Sequence, residues 1–498
     1  MRQAGILLAI TSLPSEYGIG CFSKEAYDFV DALKAAGQGV WQILPLGPTS
    51  YGDSPYQSFS TFAGNPYFID PKALTERGLI TKKECDSYDF GTNETKTDYE
   101  KIYRSRFLLL KKAFKRAEEG LKKDEDFLSF KKDNSGWLGD YALYMAIKDS
   151  NGGKSWLEWD EDIRFREKAA LDSCREKYKE EILFYEFLQY EFSAQWKKLK
   201  EYANGQGIKI TGDIPIYVAL DSADAWASPE LFQFNEDCTP KAVAGCPPDA
   251  FSADGQLWGN PLYDWEYHRK TGYEWWMKRL KHCFELYDIV RIDHFRGFDA
   301  YYSIPFPAEN ARIGSWEKGP GYELFKTMKK ELGDKAVIAE DLGFLTKSVI
   351  RLVKRTGYPG MKVLQFAFDP REESDYLPHN YRPESVVYTG THDNDTTLHW
   401  YETLSERDRR FVNKYLDIDK NAKKTDITRA FIRAAYASVS ELAVIPMQDI
   451  LSLGGSARMN TPSTLGGNWE WRMKPDAFSK AAQKRLNELA KLYGRKMN

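Results

Sequence analysis

Four acidic residues stand where chemistry would need them, each at the end of a short apolar run: Asp213 in ITGDIP, Asp293 in VRIDHF, Glu340 in VIAEDLG and Asp393 in TGTHDND. Grouped carboxyls can act as nucleophile, general acid and general base. The segment around the second, YDIVRIDHFRGF at 287–298, sets the sharpest constraint. It begins as a buried strand yet carries Arg291 and Asp293 two positions apart. Alternate residues of a strand share a face, so Ile289, Arg291 and Asp293 point one way, and Val290, Ile292 and His294 the other. An arginine and an aspartate on the inward face of a core strand are costly unless paired or employed. Alternation also groups Thr211 with Asp213, Ile338 with Glu340 and Thr391 with Asp393, so that all four acids can converge on one cavity. The competing reading makes each acid a helix N-cap or loop residue. Four such acids, with Arg291 beneath one of them, favour an active site. His294 and His392, two of only six histidines, adjoin these acids and suit either substrate hydrogen bonding or a metal. A metal-dependent hydrolase barrel usually offers H-x-H on its first strand, and GILLAITS has no histidine, so no metal is expected.

The elements that must position these residues are eight apolar runs: 5–11, 40–46, 208–214, 288–293, 336–341, 361–368, 385–391 and 442–449. Helical stretches lie between them, among them 23–37, 274–287 and 346–357, with Ser23 and Thr346 as N-caps and Gly37 and Gly357 as C-caps. Eight strands alternating with helices predict an α/β fold, a (β/α)₈ TIM barrel whose chemistry sits at the C-terminal ends of the strands. The whole chain, 1–498, reads as one catalytic barrel with large helical and loop insertions at that face. Residues 51–190 read as a mainly helical subdomain, 218–272 as a loop-rich segment over the active site, and 396–440 as helices before the last strand; 476–494 reads as the closing helix.

Bulk properties fit this picture. A chain with 42% hydrophobic and 14% aromatic residues can bury a large core. A net charge of -3 without a long basic run argues against nucleic acid as a partner. The 14 tryptophans and 30 tyrosines supply flat rings suited to carbohydrate faces, though most belong in a core. Six scattered cysteines, none in a C-x-x-C pair, read as free thiols of a reducing compartment. The N-terminal apolar run is too short to span a membrane and reads as the first barrel strand. A soluble, cytoplasmic protein with no membrane partner is expected.

In chain order, RIDHFRG, IAEDLG and THDND resemble the sequence regions of the α-amylase superfamily. GDIPIYVALDSADAW, DSPYQSFSTFAGNPYFID, FSADGQLWGNPLYDW and ARMNTPSTLGGNWEWR extend the resemblance over nearly the whole chain, to the 4-α-glucanotransferase (amylomaltase, or disproportionating enzyme) family. The resemblance implies transfer of α-1,4-glucan segments between maltooligosaccharides, or to glucose, by a retaining double displacement. It implies Asp293 as nucleophile, Glu340 as general acid and then base, and Asp393 as stabiliser of the oxocarbenium-like state. Arg291 would keep Asp293 ionised against desolvation. Asp213, His294 and His392 would hold hydroxyls of the sugar beside the scissile bond. Tyr56, Ser58, Asp249, Phe251, Trp258 and Asn460 would line the glucan groove, although Trp258 alone could equally anchor a loop. No cofactor is implied: region one lacks the Asn-His of ordinary α-amylases, and no calcium-loop signature stands out. One departure concerns RMNTPS, where Pro-Gly is expected after RMNT and the chain has Pro462-Ser463. Water as acceptor, giving an α-amylase-like hydrolase, remains open from the motifs. So, from another class, does a non-catalytic glucan-binding barrel, which the presence of all three acids disfavours.

Overall fold

The computed structural model describes residues 2–50, 52–248, 252–343, 345–464, 466–495 and 497. Its centre is a closed barrel of eight parallel strands: β1 Gln3–Leu7, β2 Val40–Gln42, β3 Lys209–Ile214, β4 Ile289–Ile292, β5 Val337–Ala339, β6 Gly360–Val363, β7 Ser385–Tyr388 and β8 Leu442–Pro446. Spatial order follows chain order, and β8 closes on β1 with Gln3 opposite Leu442 and Leu7 opposite Pro446. All eight come from the runs read as strands. All eight strands are shorter than the runs, because the apolar residues continue into a buried barrel mouth. Leu8, Ala9 and Ile10 are buried beyond the end of β1, and the run from 361 bends into a 3₁₀ turn at Leu364–Phe366. β7 and β8 are buried along their full length, as expected of strands covered on both faces.

The outer helices follow their sequence signals. Lys347–Thr356 starts where the Thr346 hydroxyl accepts from the Val349 amide, and it ends at Gly357 with φ 75°. Lys24–Ala35 ends before Gly37, whose φ is 68°. Ser23 occupies its N-cap position without making the cap bond, because its hydroxyl donates to the Glu25 carboxylate at 2.5 Å. The helices at 396–440 are Thr397–Thr403, Glu406–Leu416 and Lys424–Ala437.

The insertion after β2 is helical, but its boundary differs from the one read at 190. That position falls inside Lys179–Gly205, a single 27-residue helix that leads straight into β3. The segment 218–272 is not all loop. Strands Ala242–Cys246 and Gln256–Pro261 join Ala300–Pro305 and Ser315–Lys318 in a four-stranded antiparallel sheet. Its strands carry Gly, Pro and Ser, and Ser315–Lys318 is exposed throughout, so no alternation marks it in the sequence. One continuous core unites the barrel and the helical insertion, and a small satellite of Val243, Tyr302, Ile304 and Ala311 underlies the sheet. Among the described residues no helix is long and apolar enough to cross a membrane.

Gly212 precedes Asp213 on β3, and a Cβ added there would lie 2.2 Å from the buried ring of Tyr287. Gly212→Ala should lower stability by about 1–3 kcal/mol through overpacking, measured by thermal or urea unfolding. An unchanged unfolding midpoint would contradict this packing of β3 against Tyr287.

Candidate active site

The register of β3 against β4 sets Asp213 opposite Arg291. Arg291 Nη1 donates to both Asp213 oxygens, at 2.7 and 2.6 Å, and stands 2.9 Å from Asp293 Oδ1. The arginine is 2% exposed and Asp213 0%. Burial alone would lower the guanidinium pKa, but the charges of Asp213 and Asp293 hold it well above its ordinary value. Asp213 Oδ2 also accepts from the Tyr56 hydroxyl at 2.9 Å. Asp213, expected to hold a sugar hydroxyl, thus lies beneath the site, with its oxygens facing Arg291 and Tyr56.

β4 stops at Ile292. The Asp293 amide bonds the Ile214 carbonyl at 2.9 Å, and His294 turns the chain with φ 48° into a short 3₁₀ turn, Phe295–Phe298. Glu340 follows β5 directly. Its Oε2 accepts from the His294 amide at 2.8 Å and its Oε1 from the Leu342 amide at 2.9 Å, while its carbonyl accepts from Phe295. The β4 and β5 tips are therefore stitched together, and the two carboxyls share one low-dielectric neighbourhood. Burial pushes Asp293 up to about 6, with Arg291 pulling against it. Burial and the charge of Asp293 push Glu340 up to about 7. Arg291, in contact with Asp293, favours the ionised form of that carboxyl, while the negative charge of Asp293 favours a proton on Glu340.

Asp393, beyond β7, is opposed by burial but held well below the usual carboxylate range by His392 and by the Asn460 amide. Its Oδ2 lies 3.3 Å from His392 Nε2, and its Oδ1 accepts from Asn460 Nδ2 at 2.7 Å. Burial disfavours the His392 imidazolium, but Asp393 outweighs it and raises the pKa. His392 Nε2 is also 2.9 Å from the Tyr56 hydroxyl, and the Tyr56 ring stacks on the imidazole at 5.2 Å and 18°. A continuous run of polar contacts thus links Asn460, Asp393, His392, Tyr56, Asp213, Arg291 and Asp293.

Above this floor opens a cleft of about 870 Å³ whose walls include Asp293, Asp393, His294, His392, Tyr56, Trp258 and Asn460. Glu340 is half-buried behind the wall, bonded to the His294 amide. Trp258 stands edge-on to His294, with ring centres 4.8 Å apart and planes at 87°. Burial and Arg296 push the His294 imidazole down to about 3, so it stays neutral. Ser58 is not in this wall. Its hydroxyl donates to the Ser60 carbonyl at 2.8 Å and faces a small cavity of about 50 Å³ behind Tyr56. Asp249 and Phe251 lie outside the described residues.

Two residues of the site were not singled out from the sequence, although both lie in ARMNTPSTLGGNWEWR. Trp469 packs on His392 at 6.0 Å and on Tyr56 at 5.8 Å, from a backbone at φ 65° that a bulky residue rarely adopts. Arg458 donates to the carbonyls of Asp393 at 3.0 Å and Asn460 at 2.8 Å, strapping together the loops whose side chains meet in the cleft. Neither has a periodic or motif signal beyond the stretch itself. Ser463, standing where a glycine was expected, takes φ 64°, the left-handed conformation that glycine adopts freely.

The profile of the 4-alpha-glucanotransferase family matches residues 8–478. A 4-alpha-glucanotransferase of Streptococcus pneumoniae serotype 4 is 51% identical over 497 residues, covering 99% of this chain and 97% of that protein. One from Clostridium butyricum is 48% identical, covering 98% and 99%. Among solved structures, an amylomaltase from Streptococcus agalactiae in complex with acarbose is 43% identical, with a TM-score of 0.96 and full coverage of both chains. An amylomaltase from Corynebacterium glutamicum shares the fold at 18% identity, with a TM-score of 0.80 over all of this chain and 75% of that one. With a matched profile spanning nearly its whole length and relatives at about half identity, this chain belongs to the 4-alpha-glucanotransferase family.

Proposed function

We infer that this protein transfers α-1,4-glucan segments between maltooligosaccharides, or to glucose, by a retaining double displacement centred on Asp293 and Glu340. The observation that carries the mechanism is the placement of two neighbouring carboxyls, with the Arg291 guanidinium 2.9 Å from Asp293 while Glu340 accepts from the His294 and Leu342 amides. A retaining glycoside mechanism needs one carboxylate as nucleophile and one carboxylic acid beside it. An Asp293 oxygen attacks the anomeric carbon as the glycosidic bond breaks, and Glu340 gives its proton to the departing oxygen. For that step Glu340 Oε2 exchanges the His294 amide for the glycosidic oxygen. The ionised Glu340 then takes the proton of an acceptor hydroxyl, which displaces Asp293 and restores the α-linkage. Asp393 and His392 hold hydroxyls of the reacting sugar. Arg291 holds the nucleophile ionised from beneath.

Acceptor choice separates a transferase from a hydrolase that shares the same intermediate. Bulk water is about 55 M, and oriented binding of an acceptor sugar can exceed that by orders of magnitude in effective concentration. Trp258, Tyr56 and Trp469 give the cleft apolar faces on which glucose rings stack and from which water is displaced. The cytoplasm is the compartment proposed, since Cys21, Cys85, Cys174, Cys238 and Cys283 are buried free thiols.

Maltotriose should yield glucose and a ladder of longer chains while total reducing ends stay nearly constant. A steady rise in reducing ends with no product longer than maltotriose would mean a hydrolase. Trp258→Ala should weaken transfer more than hydrolysis on the same assay.

Asp293→Asn should abolish transfer with the unfolding curve nearly unchanged. Glu340→Gln should slow natural glucans by about 10²–10⁴-fold yet spare the first step on substrates with activated leaving groups. Near-normal maltotriose transfer by either variant would refute the role given to that residue.

Arg291→Met removes the charge that lowers the Asp293 pKa, so that pKa rises above about 6 and the acidic limb of the pH–rate profile moves to higher pH. Breaking this buried pair should also cost about 3–5 kcal/mol of stability, so the profile is recorded below the variant's melting temperature, beside Arg291→Lys, which keeps the charge. A folded, active Met variant with an unmoved acidic limb would remove Arg291 from this role.

A further inference from the structure

We propose that Tyr56 is a positioning residue that fixes a proton on His392 Nε2, so that this imidazole meets a bound sugar as a hydrogen-bond donor. The donor and acceptor inventory leaves little choice. The Asp213 carboxylate takes Arg291 Nη1 on both oxygens, at 2.7 and 2.6 Å, and an ion-paired carboxylate only accepts. The Tyr56 hydroxyl, 2.9 Å from Asp213 Oδ2, therefore spends its single proton there. Only lone pairs of the phenolic oxygen remain, and His392 Nε2 faces them at 2.9 Å. Two acceptors at that separation repel, so Nε2 carries the hydrogen. Nε2 also lies 3.3 Å from Asp393 Oδ2.

Packing keeps the ring from turning to present its other nitrogen. The Tyr56 ring lies against one face of His392 at 18°, and Trp469 packs on both rings. The charged groups acting on His392 are Asp393, Arg291 and Asp213. They decide how readily it gains a second proton. The hydrogen on Nε2 is present in the imidazole and the imidazolium alike. A sugar hydroxyl arriving between His392 and Asp393 would share the Nε2 hydrogen with the Tyr56 oxygen in a three-centre bond and donate its own to the Asp393 carboxylate. The pair of bonds is thus directed, and Tyr56 sets the direction from a position behind the histidine.

The role for the sugar rests on the transferase reading, whereas the proton's location does not, and the test separates them. Protein labelled with ¹⁵N-histidine is examined by NMR without substrate, His392 being assigned by its loss in His392→Gln. The wild type should show a protonated Nε2 on His392 at every pH at which the imidazole is neutral. A neutral Nδ1–H form in the wild type would overturn the proposal without any variant. Tyr56→Phe should populate that Nδ1–H form and lower kcat on maltotriose by about tenfold, the loss of one good hydrogen bond. KM should change less, and the unfolding midpoint should stay close to wild type. An unchanged His392 signal in Tyr56→Phe would also overturn the proposal, whatever the rate. Absence of transfer by the wild type would instead refute the reading of the function, and the NMR result would still decide the proton's location.

Discussion

A guanidinium held at 2% exposure inside a barrel is the constraint around which the rest is arranged. Such a charge is tolerable only with opposite charge at hydrogen-bond distance, and Arg291 has it on two sides. Asp213 answers it from the neighbouring strand and Asp293 from the turn above. The consequence runs upward. Asp213, its charge engaged, still has room for the Tyr56 hydroxyl, and Tyr56 in turn reaches His392 and through it Asp393. Loops that leave β2, β4 and β7 are thereby tied to a single buried cation. The barrel supplies the register that makes this possible, since Asp213 and Arg291 are paired residues of adjacent strands.

The second constraint is the closeness of Asp293 and Glu340. Two carboxyls in a poorly solvated place cannot both hold full charge cheaply. Arg291 stands 2.9 Å from Asp293 and opposes its upward shift more strongly than any other charge, so the guanidinium favours an ionised Asp293. Backbone donors from His294 and Leu342 to Glu340 oppose its upward shift and also fix its orientation. The same turn that aims Asp293 thus keeps its partner in place.

Much of this was readable in the sequence because barrel strands are short, apolar and end in polar residues at one face. The pairing of Arg291 with Asp293 followed from a period of two. The partner that most occupies Arg291, Asp213, did not, because register between strands is a tertiary property that no single segment encodes. For the same reason Tyr56 could be assigned to the groove but not to its hydrogen bonds with Asp213 and His392. The antiparallel sheet escaped notice because its strands are exposed or interrupted by glycine and proline. Trp469 and Arg458 escaped because their roles depend on a left-handed backbone and on carbonyls of a distant loop.

The helix Lys179–Gly205 belongs to two structures at once. Its first half packs within the insertion, where the Tyr185 hydroxyl bonds Asp149 at 2.7 Å. Its second half packs against the barrel, where the Trp196 indole bonds the Leu286 carbonyl at 3.2 Å. A rigid rod shared in this way leaves no hinge between the two. The inserted helices cannot swing as a lobe, nor melt ahead of the barrel, without pulling on the residues that lead into β3. Excision of the insertion would cut this helix and expose the barrel face that its second half covers.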